Sequence, residues 1–414
     1  MREAVCVDVG STYTKAARID LSGAELIRRT EVPTTSGTDV LAGLDAAVAA
    51  VGGRDAPLYV CSSAGGGLRL AVVGYESLVT AEAGHRVGLS AGAQVVHVAA
   101  GPLTGAAVTA LRAARPDVIL LVGGTDGGDG EVLLHNARRL AAQRLRLPVV
   151  LAGNADVRAE GAAVLTARGV PVTVTGNVLP RIGVLDPLPA RAAIRDVFLR
   201  HVIGGKRLSR GPRFASLVRS ATPDAVLAGV ELLADRAAAG VLVVDVGGAT
   251  TDVYSALVPD AEAETGPRRD VAGTLWRSRT VEGDLGVAVG ADGTRAAAVT
   301  EKLPPPGGDR ELAATAATIA LRRHARGHSA GPGLPRTGGR DLRDVRIVIG
   351  SGGVLRHGGG DHVLGAVLAD TAGGWALPDR ARTIVDSEYV LAAAGLLAVD
   401  HPEAAAGLLD ALVR

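Results

Sequence analysis

Short runs of Val, Leu, Ile and Ala recur along the chain, and most end in a glycine-rich turn. They span Ala4–Val9, Leu58–Cys61, Asp117–Val122, Pro148–Leu151, Val172–Val174, Val241–Val246 and Val345–Ile349. These runs are apolar at nearly every position rather than at alternate ones, as expected of strands buried on both faces. Stretches with helical character lie between them, over Val40–Val51, Gly128–Arg144 and Arg191–Ile203. Strands alternating with helices predict an α/β fold with a mainly parallel sheet covered on both sides. Three segments interrupt the pattern. Pro259–Arg269 is polar and contains Gly and Pro, Leu303–Asp309 (LPPPGGD) reads as a loop, and His324–Arg340 is rich in Gly, Pro and Arg. The third has the composition of a mobile, solvated surface loop.

The 414 residues are enough for two or three domains. Lys and Arg number 44 against 43 Asp and Glu, so the net charge is +1. That balance supplies no field to attract nucleic acid or an anionic membrane. At 2% aromatic residues, the chain also lacks the stacking surfaces that grip single strands. Its only two cysteines, Cys6 and Cys61, exclude a disulfide scaffold and a Cys-rich zinc site. The segment MREAVCVDVG has no apolar core of a signal peptide. No apolar run approaches the ~20 residues that span a bilayer. The expected setting is cytoplasmic, with no membrane or nucleic-acid partner. Oligomeric state stays open, a homo-oligomer included.

One distant internal echo carries the most chemical information. Near the start the chain reads Val5-Cys6-Val7-Asp8-Val9-Gly10-Ser11-Thr12-Tyr13-Thr14-Lys15. Much later it reads Val243-Val244-Asp245-Val246-Gly247-Gly248-Ala249-Thr250-Thr251-Asp252-Val253. Each is an apolar strand, then Asp-Val-Gly, then small and hydroxyl residues, then a resumed strand pattern. Glycine lets the backbone approach a ligand closely. Successive N–H groups in such a turn form an anion-binding nest, to which Ser and Thr hydroxyls add donors. An Asp ending the strand suits a hydrated Mg²⁺ held against phosphates, and Lys15 adds a point charge. Either unit alone reads as an ordinary hairpin; the repetition favours a phosphate site. A third glycine turn, Gly350-Ser351-Gly352-Gly353, follows the run Val345–Ile349.

This order resembles the actin, Hsp70 and sugar-kinase ATPase superfamily. The resemblance implies an actin-like (ribonuclease H-like) α/β fold, with two related halves around a nucleotide cleft. It places the first phosphate loop at Asp8–Lys15, the second at Asp245–Asp252 and the adenosine loop at Gly350–Gly353. Asp8 and Asp245 would hold Mg²⁺. Gly10, Ser11, Thr12, Lys15, Gly247, Gly248, Ala249 and Thr250 would bind the phosphates of ATP. Ser11 and Ala249 depart from the glycines that many relatives carry there. The expected first half is 1–235, with an α/β insert at about 117–178. The second is 236–414, its C-terminal helix returning toward the first.

Further segments resemble one branch, the MutL/GlmL accessory proteins encoded beside adenosylcobalamin-dependent glutamate mutase. They are Gly67–Gly74 with Leu78–Ala83, PDVILLVGGTDGG at Pro116–Gly128, Ala152–Asn154, Gly176–Val178, Pro189–Arg191, Asp245–Val253, RTVEGDLG at Arg279–Gly286, Gly350–Leu355 and Tyr389–Leu397. They stand in family order over nearly the whole chain. The resemblance implies a chaperone-like accessory or reactivating factor whose partners are the subunits of a B12-dependent mutase. Two alternatives use the same fold: a small-molecule kinase, and a non-catalytic nucleotide-binding scaffold. The chain has no Asp-x-His-x-x-Gly box of cobalamin-binding modules and no GxxxxGK[ST] P-loop.

The remaining candidates are weaker. Asp126 follows a strand and reads equally as a contact to Mg²⁺ or nucleotide and as a helix cap. Glu282 and Asp284 share a Gly-containing turn; one of them, with Glu282 preferred, would orient an attacking water. An exposed acidic turn is the plainer reading. Asn154 and Asn177 read as turn residues. His357 and His362 read as loop residues.

Overall fold

The computed structural model describes residues 2–64, 68–76, 79–91, 93–143, 145–203, 208–259, 276–329, 336–337, 339–378 and 380–414. Gly67, Leu78, Arg144, positions 260–269 of the expected break after Pro259, and positions 330–335 and 338 of the expected third loop lie outside these residues.

The first half is built on β1 (Glu3–Val9), β2 (Tyr13–Asp20), β3 (Glu25–Pro33), β4 (Leu58–Ser62) and β10 (Val218–Ala221), with α1 (Val40–Ala50) between β3 and β4. Its sheet order is β10-β4-β1-β2-β3. β1, β2 and β3 form an antiparallel meander, and β4 and β10 add in parallel beside β1. The second half repeats this plan with β11 (Gly240–Val246), β12 (Thr251–Ala256), β13 (Arg277–Glu282), β16 (Val345–Ser351) and β17 (Arg382–Val385), in the order β13-β12-β11-β16-β17. Again the first three strands are an antiparallel meander and the last two are parallel additions. This is the duplicated actin-like arrangement. It corrects the expectation of a mainly parallel sheet for the halves themselves. β3, for example, has mostly exposed and half-buried positions, so no apolar run announces it.

The parallel sheet exists elsewhere, between β4 and β10. β5 (Arg69–Gly74), β6 (Gln94–Ala100), β7 (Val118–Leu121), β8 (Val149–Leu151) and β9 (Val172–Val174) form it in the order β6-β5-β7-β8-β9. All its pairings are parallel. Helices α2 (Thr80–Ser90) and α6 (Leu188–Val197) pack on one face. α3 (Gly105–Ala113), α4 (Glu131–Ala142) and α5 (Ala155–Thr166) pack on the other. The order is that of doubly wound, flavodoxin-like sheets. The insert expected at about 117–178 therefore takes in three of its five strands, and β5 and β6 belong to the same unit.

The two actin-like sheets are joined through α8 (Thr222–Ala237) and a helix near the C-terminus, Val390–Leu397, which cross at very close range. A Cβ on Gly229 would fall 2.2 Å from the Leu391 carbonyl oxygen, and one on Gly395 would fall 1.8 Å from that of Ala225. Only glycine permits this approach. One core cluster runs through the crossing, from Ala4, Cys6 and Tyr59 of the first sheet to Val241, Val243 and Tyr254 of the second. The remaining helices are α7 (Arg213–Leu217), α9 (Ala291–Thr300), α10 (Asp309–Arg326), α11 (Gly360–Leu368), α12 (the Val390–Leu397 helix) and α13 (Pro402–Val413). α13 lies on α8 and touches β3 of the first half. Among the described residues no helix is long and apolar enough to cross a membrane.

Two loop expectations change. His324–Arg326 is the last turn of α10, and His324 is fully buried, bonded to Thr280 Oγ1 at 3.0 Å and Ser255 Oγ at 2.9 Å. Beyond it, β14 (His328–Ser329) pairs antiparallel with β15 (Arg336–Thr337). His357 sits at a kink in the π-helical turn Leu355–Gly359, and His362 lies in α11. Glycines 358–360 suggest a loop, but Gly359 and Gly360 are buried inside this helical segment.

Candidate functional site

The two Asp-Val-Gly segments fold into the same hairpin. Val9 pairs with Thr14 and Val246 with Thr251, so each turn holds four residues. Each is closed by a glycine N–H: Gly10 donates to the Tyr13 carbonyl at 3.0 Å, and Gly247 to the Thr250 carbonyl at 2.9 Å. The strands carrying Asp8 and Asp245 are the central ones of their sheets. Both carboxylates therefore reach one cavity of about 60 Å³ between the halves, shared with Lys15, Thr222, Ser351 and Tyr389.

Around this cavity the polar groups are paired. The Thr222 hydroxyl, at the start of α8, donates to Asp8 Oδ1, and the Cys61 thiol lies 3.7 Å from the same oxygen. Burial pushes the Asp245 carboxyl up to about 6, opposed by Lys15 and reinforced by the Asp252 carboxylate. The Ser351 hydroxyl hydrogen-bonds Asp245 and also opposes the rise. Burial alone would lower the Lys15 ammonium, but Asp8, Tyr389, Asp245 and Glu31 outweigh it and hold the ammonium above its usual range. Lys15 Nζ sits 3.8 Å from the centre of the Tyr389 ring, and the Arg356 guanidinium sits 4.1 Å from it. Such contacts attract the cation to the ring face.

The register makes the halves complementary. Lys15 pairs with Asp8 across the first hairpin, where the second hairpin pairs Asp252 with Asp245. Asp252 is tied within its own half to Arg279, at 2.6 Å. Lys15 instead acts on Asp245 of the other half. Further ion pairs cross between the halves, among them Arg356 with Glu31 at 3.4 Å, Arg29 with Glu388, and Arg219 with Asp400 at 2.6 Å.

Of the residues singled out from sequence, Asp8, Lys15, Asp245 and Ser351 meet at this cavity. Gly10, Ser11 and Thr12, and Gly247, Gly248, Ala249 and Thr250, form the two hairpin turns beyond it. The third glycine turn needs a correction: β16 runs on through Gly350 and Ser351. A Cβ on Gly352 would fall 2.1 Å from the Val246 carbonyl oxygen, and its φ is +104°, so glycine is required there by the second hairpin itself. Gly353 faces open space.

Glu282 ends β13 opposite Thr251, and its carboxylate accepts from Arg323 Nη1 at 2.6 Å. Asp284 accepts from the same nitrogen at 2.9 Å. Burial raises the Glu282 carboxyl and Arg323 opposes the rise. A carboxylate committed to a guanidinium is poorly suited to take a proton from water. Asp126 lies in the insert and is not among the residues lining the cavity. Its Oδ1 accepts from the Ala155 N–H and from Asn177 Nδ2, both at 2.9 Å, tying the loops after β7, β8 and β9 together. Asn154 caps α5, in keeping with the turn reading.

Sequence reasoning missed Thr222, Tyr389, Arg356 and Asp386. Asp386, almost fully buried, accepts from the N–H groups of Val390 and Leu391 and so fixes the start of α12 beside the cavity. Thr222-Pro223 and Asp386-Ser387 are helix-start signals that were available. Nothing local marks Tyr389. Among the described residues no group of three or more His, Cys, Asp or Glu could hold a metal ion. Two carboxylates and nearby hydroxyls fit a hard cation that keeps most of its water, rather than one caged by protein.

Compared with known proteins, the chain matches the family model described as MutL protein over residues 4–306 and 307–413. Protein MutL from Clostridium tetanomorphum is 33% identical over 451 residues, covering 97% of each chain. Among solved structures, component A of (R)-2-hydroxyglutaryl-CoA dehydratase from Acidaminococcus fermentans aligns over 100% of both chains at 9% identity, with a TM-score of 0.31. A ROK family glucokinase from Streptomyces griseus, in complex with glucose and AMPPNP, aligns over 99% of both at 11% identity and a TM-score of 0.33.

Proposed function

The chain belongs to the MutL family, and on that premise we propose that it is an ATP-binding, chaperone-like accessory or reactivating factor for an adenosylcobalamin-dependent mutase of the glutamate mutase kind. One observation carries the nucleotide part: two hairpins of identical turn length, from two sheets of identical order, bring Asp8 and Asp245 to one cavity. Family membership is what supports the mutase partner.

In this reading the free amides of the two turns, those of Ser11 and Thr12 and of Gly248 and Ala249, bind phosphate oxygens, while the Gly10 and Gly247 amides close the turns. Asp8 and Asp245 hold a hydrated Mg²⁺, with Ser351 and Thr222 orienting the carboxylates. The ion's contribution is to neutralise phosphate charge. Lys15 adds a second positive charge against the phosphates, and the segment Gly350–Gly353 borders the adenosine. Glu282 holds the turn that follows it through Arg323. In this reading a change in how the halves meet, at the Arg29–Glu388 and Arg356–Glu31 pairs beside the cavity, is the motion by which nucleotide state reaches a partner-facing surface.

The test is reactivation of a glutamate-mutase-type enzyme loaded with damaged cobalamin. Activity should return only with this chain, ATP and Mg²⁺ together, and not with Asp8→Asn or Asp245→Asn. Recovery without nucleotide, or equal recovery with both variants, refutes the reading. Rapid phosphorylation of a single metabolite would point to the kinase alternative.

A further inference from the structure

The second hairpin turn does not stand alone. The segment Leu285–Gly290 lies against it and grips its carbonyls. Val287 N–H donates to the Gly247 carbonyl at 3.2 Å, and the N–H groups of Ala288 and Gly290 donate to the Gly248 carbonyl at 2.8 and 3.0 Å. A trans peptide holds its N–H opposite its C=O. The peptides so gripped carry the N–H groups of Gly248 and Ala249. Those two amides are thus turned away from the gripping segment, toward the exposed side of the turn.

The segment is itself fixed at three points. The Thr251 hydroxyl donates to the Leu285 carbonyl at 3.1 Å. The buried Thr294 hydroxyl meets both the N–H and the carbonyl of Gly286 at 2.9 Å. At the N-terminal end, Arg323 of α10 holds Glu282 at 2.6 Å and Asp284 at 2.9 Å, so one guanidinium spans the start of the acidic turn. The first hairpin is secured differently, the Val9 carbonyl accepting from Ser63 and Ala64 N–H.

We propose that Arg323 is a positioning residue: by clamping Glu282 and Asp284 it sets the Leu285–Gly290 segment, which in turn aims the Gly248 and Ala249 amides at an anionic oxygen. The consequence for phosphate rests on the nucleotide reading above. Donors fixed before the ligand arrives cost no reorganisation when it binds, which is why their loss is felt strongly. The guanidinium side chain is about one-third exposed, at 32%, so its replacement opens no large hole in the core.

Hydrogen exchange and calorimetry on the full chain test this in two separate arms, using Arg323→Gln and Arg323→Lys. In Arg323→Gln, exchange at the Val287, Ala288 and Gly290 amides should rise on the order of tenfold, while β11 and β12 keep their protection. Arg323→Lys should restore part of it. ATP affinity with Mg²⁺ should fall on the order of tenfold or more in Arg323→Gln, and adenosine affinity should not change. Unchanged protection overturns the clamp. Loss of protection spread over β11–β13, with ATP and adenosine weakened alike, shows mere support of the fold and overturns it too. Lost protection with unchanged ATP affinity overturns the link to phosphate. If the wild-type chain binds neither ATP nor adenosine, the nucleotide reading falls, and the exchange arm still decides the clamp.

Discussion

His324 offers a clean test of how burial sets stability in the second half. Its ring is fully buried at the end of α10 and is engaged at both nitrogens, by Thr280 Oγ1 and Ser255 Oγ. Burial drives the imidazole well below its ordinary value of 6.5, and the nearby Arg340 guanidinium pushes the same way. The folded chain thus keeps the ring neutral while the unfolded chain takes up a proton near pH 6.5. A depressed histidine contributes stability that is fully present above the unfolded value and is lost as pH falls below it. The slope is about 1.4 kcal/mol per pH unit, so lowering pH from about 7.5 to about 5 should remove about 2 kcal/mol. His324→Gln removes the titration. Its deficit against wild type should therefore shrink by about 2 kcal/mol over that interval, although its own lost contacts cost stability at neutral pH. Both tryptophans, Trp276 and Trp375, lie in the second half, so their fluorescence in urea follows the relevant transition. A wild-type-to-variant gap that stays constant with pH would refute the reasoning.

Other sites make equally direct tests. Gly395→Ala drives a Cβ into the Ala225 carbonyl, 1.8 Å away, and should lower stability by about 1–3 kcal/mol or more in urea unfolding; an unchanged midpoint would mean that the α8–α12 crossing relaxes freely. Asp126→Ala removes the acceptor shared by Ala155 N–H and Asn177, and should raise hydrogen exchange in the loops after β7 and β8 while leaving ATP affinity within about twofold. A large loss of ATP affinity would return Asp126 to the nucleotide site.

What the sequence alone determined is local and repetitive. Val5–Lys15 and Val243–Val253 each specify a strand, a glycine turn and a returning strand. Their identical turn closure follows from residues within a few positions of one another. The fully apolar runs announced β1, β4, β7, β8, β11 and β16, because a strand buried on both faces is legible without its neighbours. Family membership was legible in longer blocks such as PDVILLVGGTDGG and RTVEGDLG.

Tertiary structure decided what lies opposite each group. β3 is half exposed and gains its place only by pairing with β2, so the mixed character of the sheets was hidden. Glu282 reads as a free carboxylate until α10 brings Arg323 to it from 41 residues away. Thr222 reaches Asp8 across 214 residues, and Lys15 finds Asp245 only once both hairpins share a cavity. Periodicity and turn chemistry are set by neighbours in the chain. The charge, burial and partners of a side chain are set by whichever surface the fold places against it, and no local pattern encodes that choice.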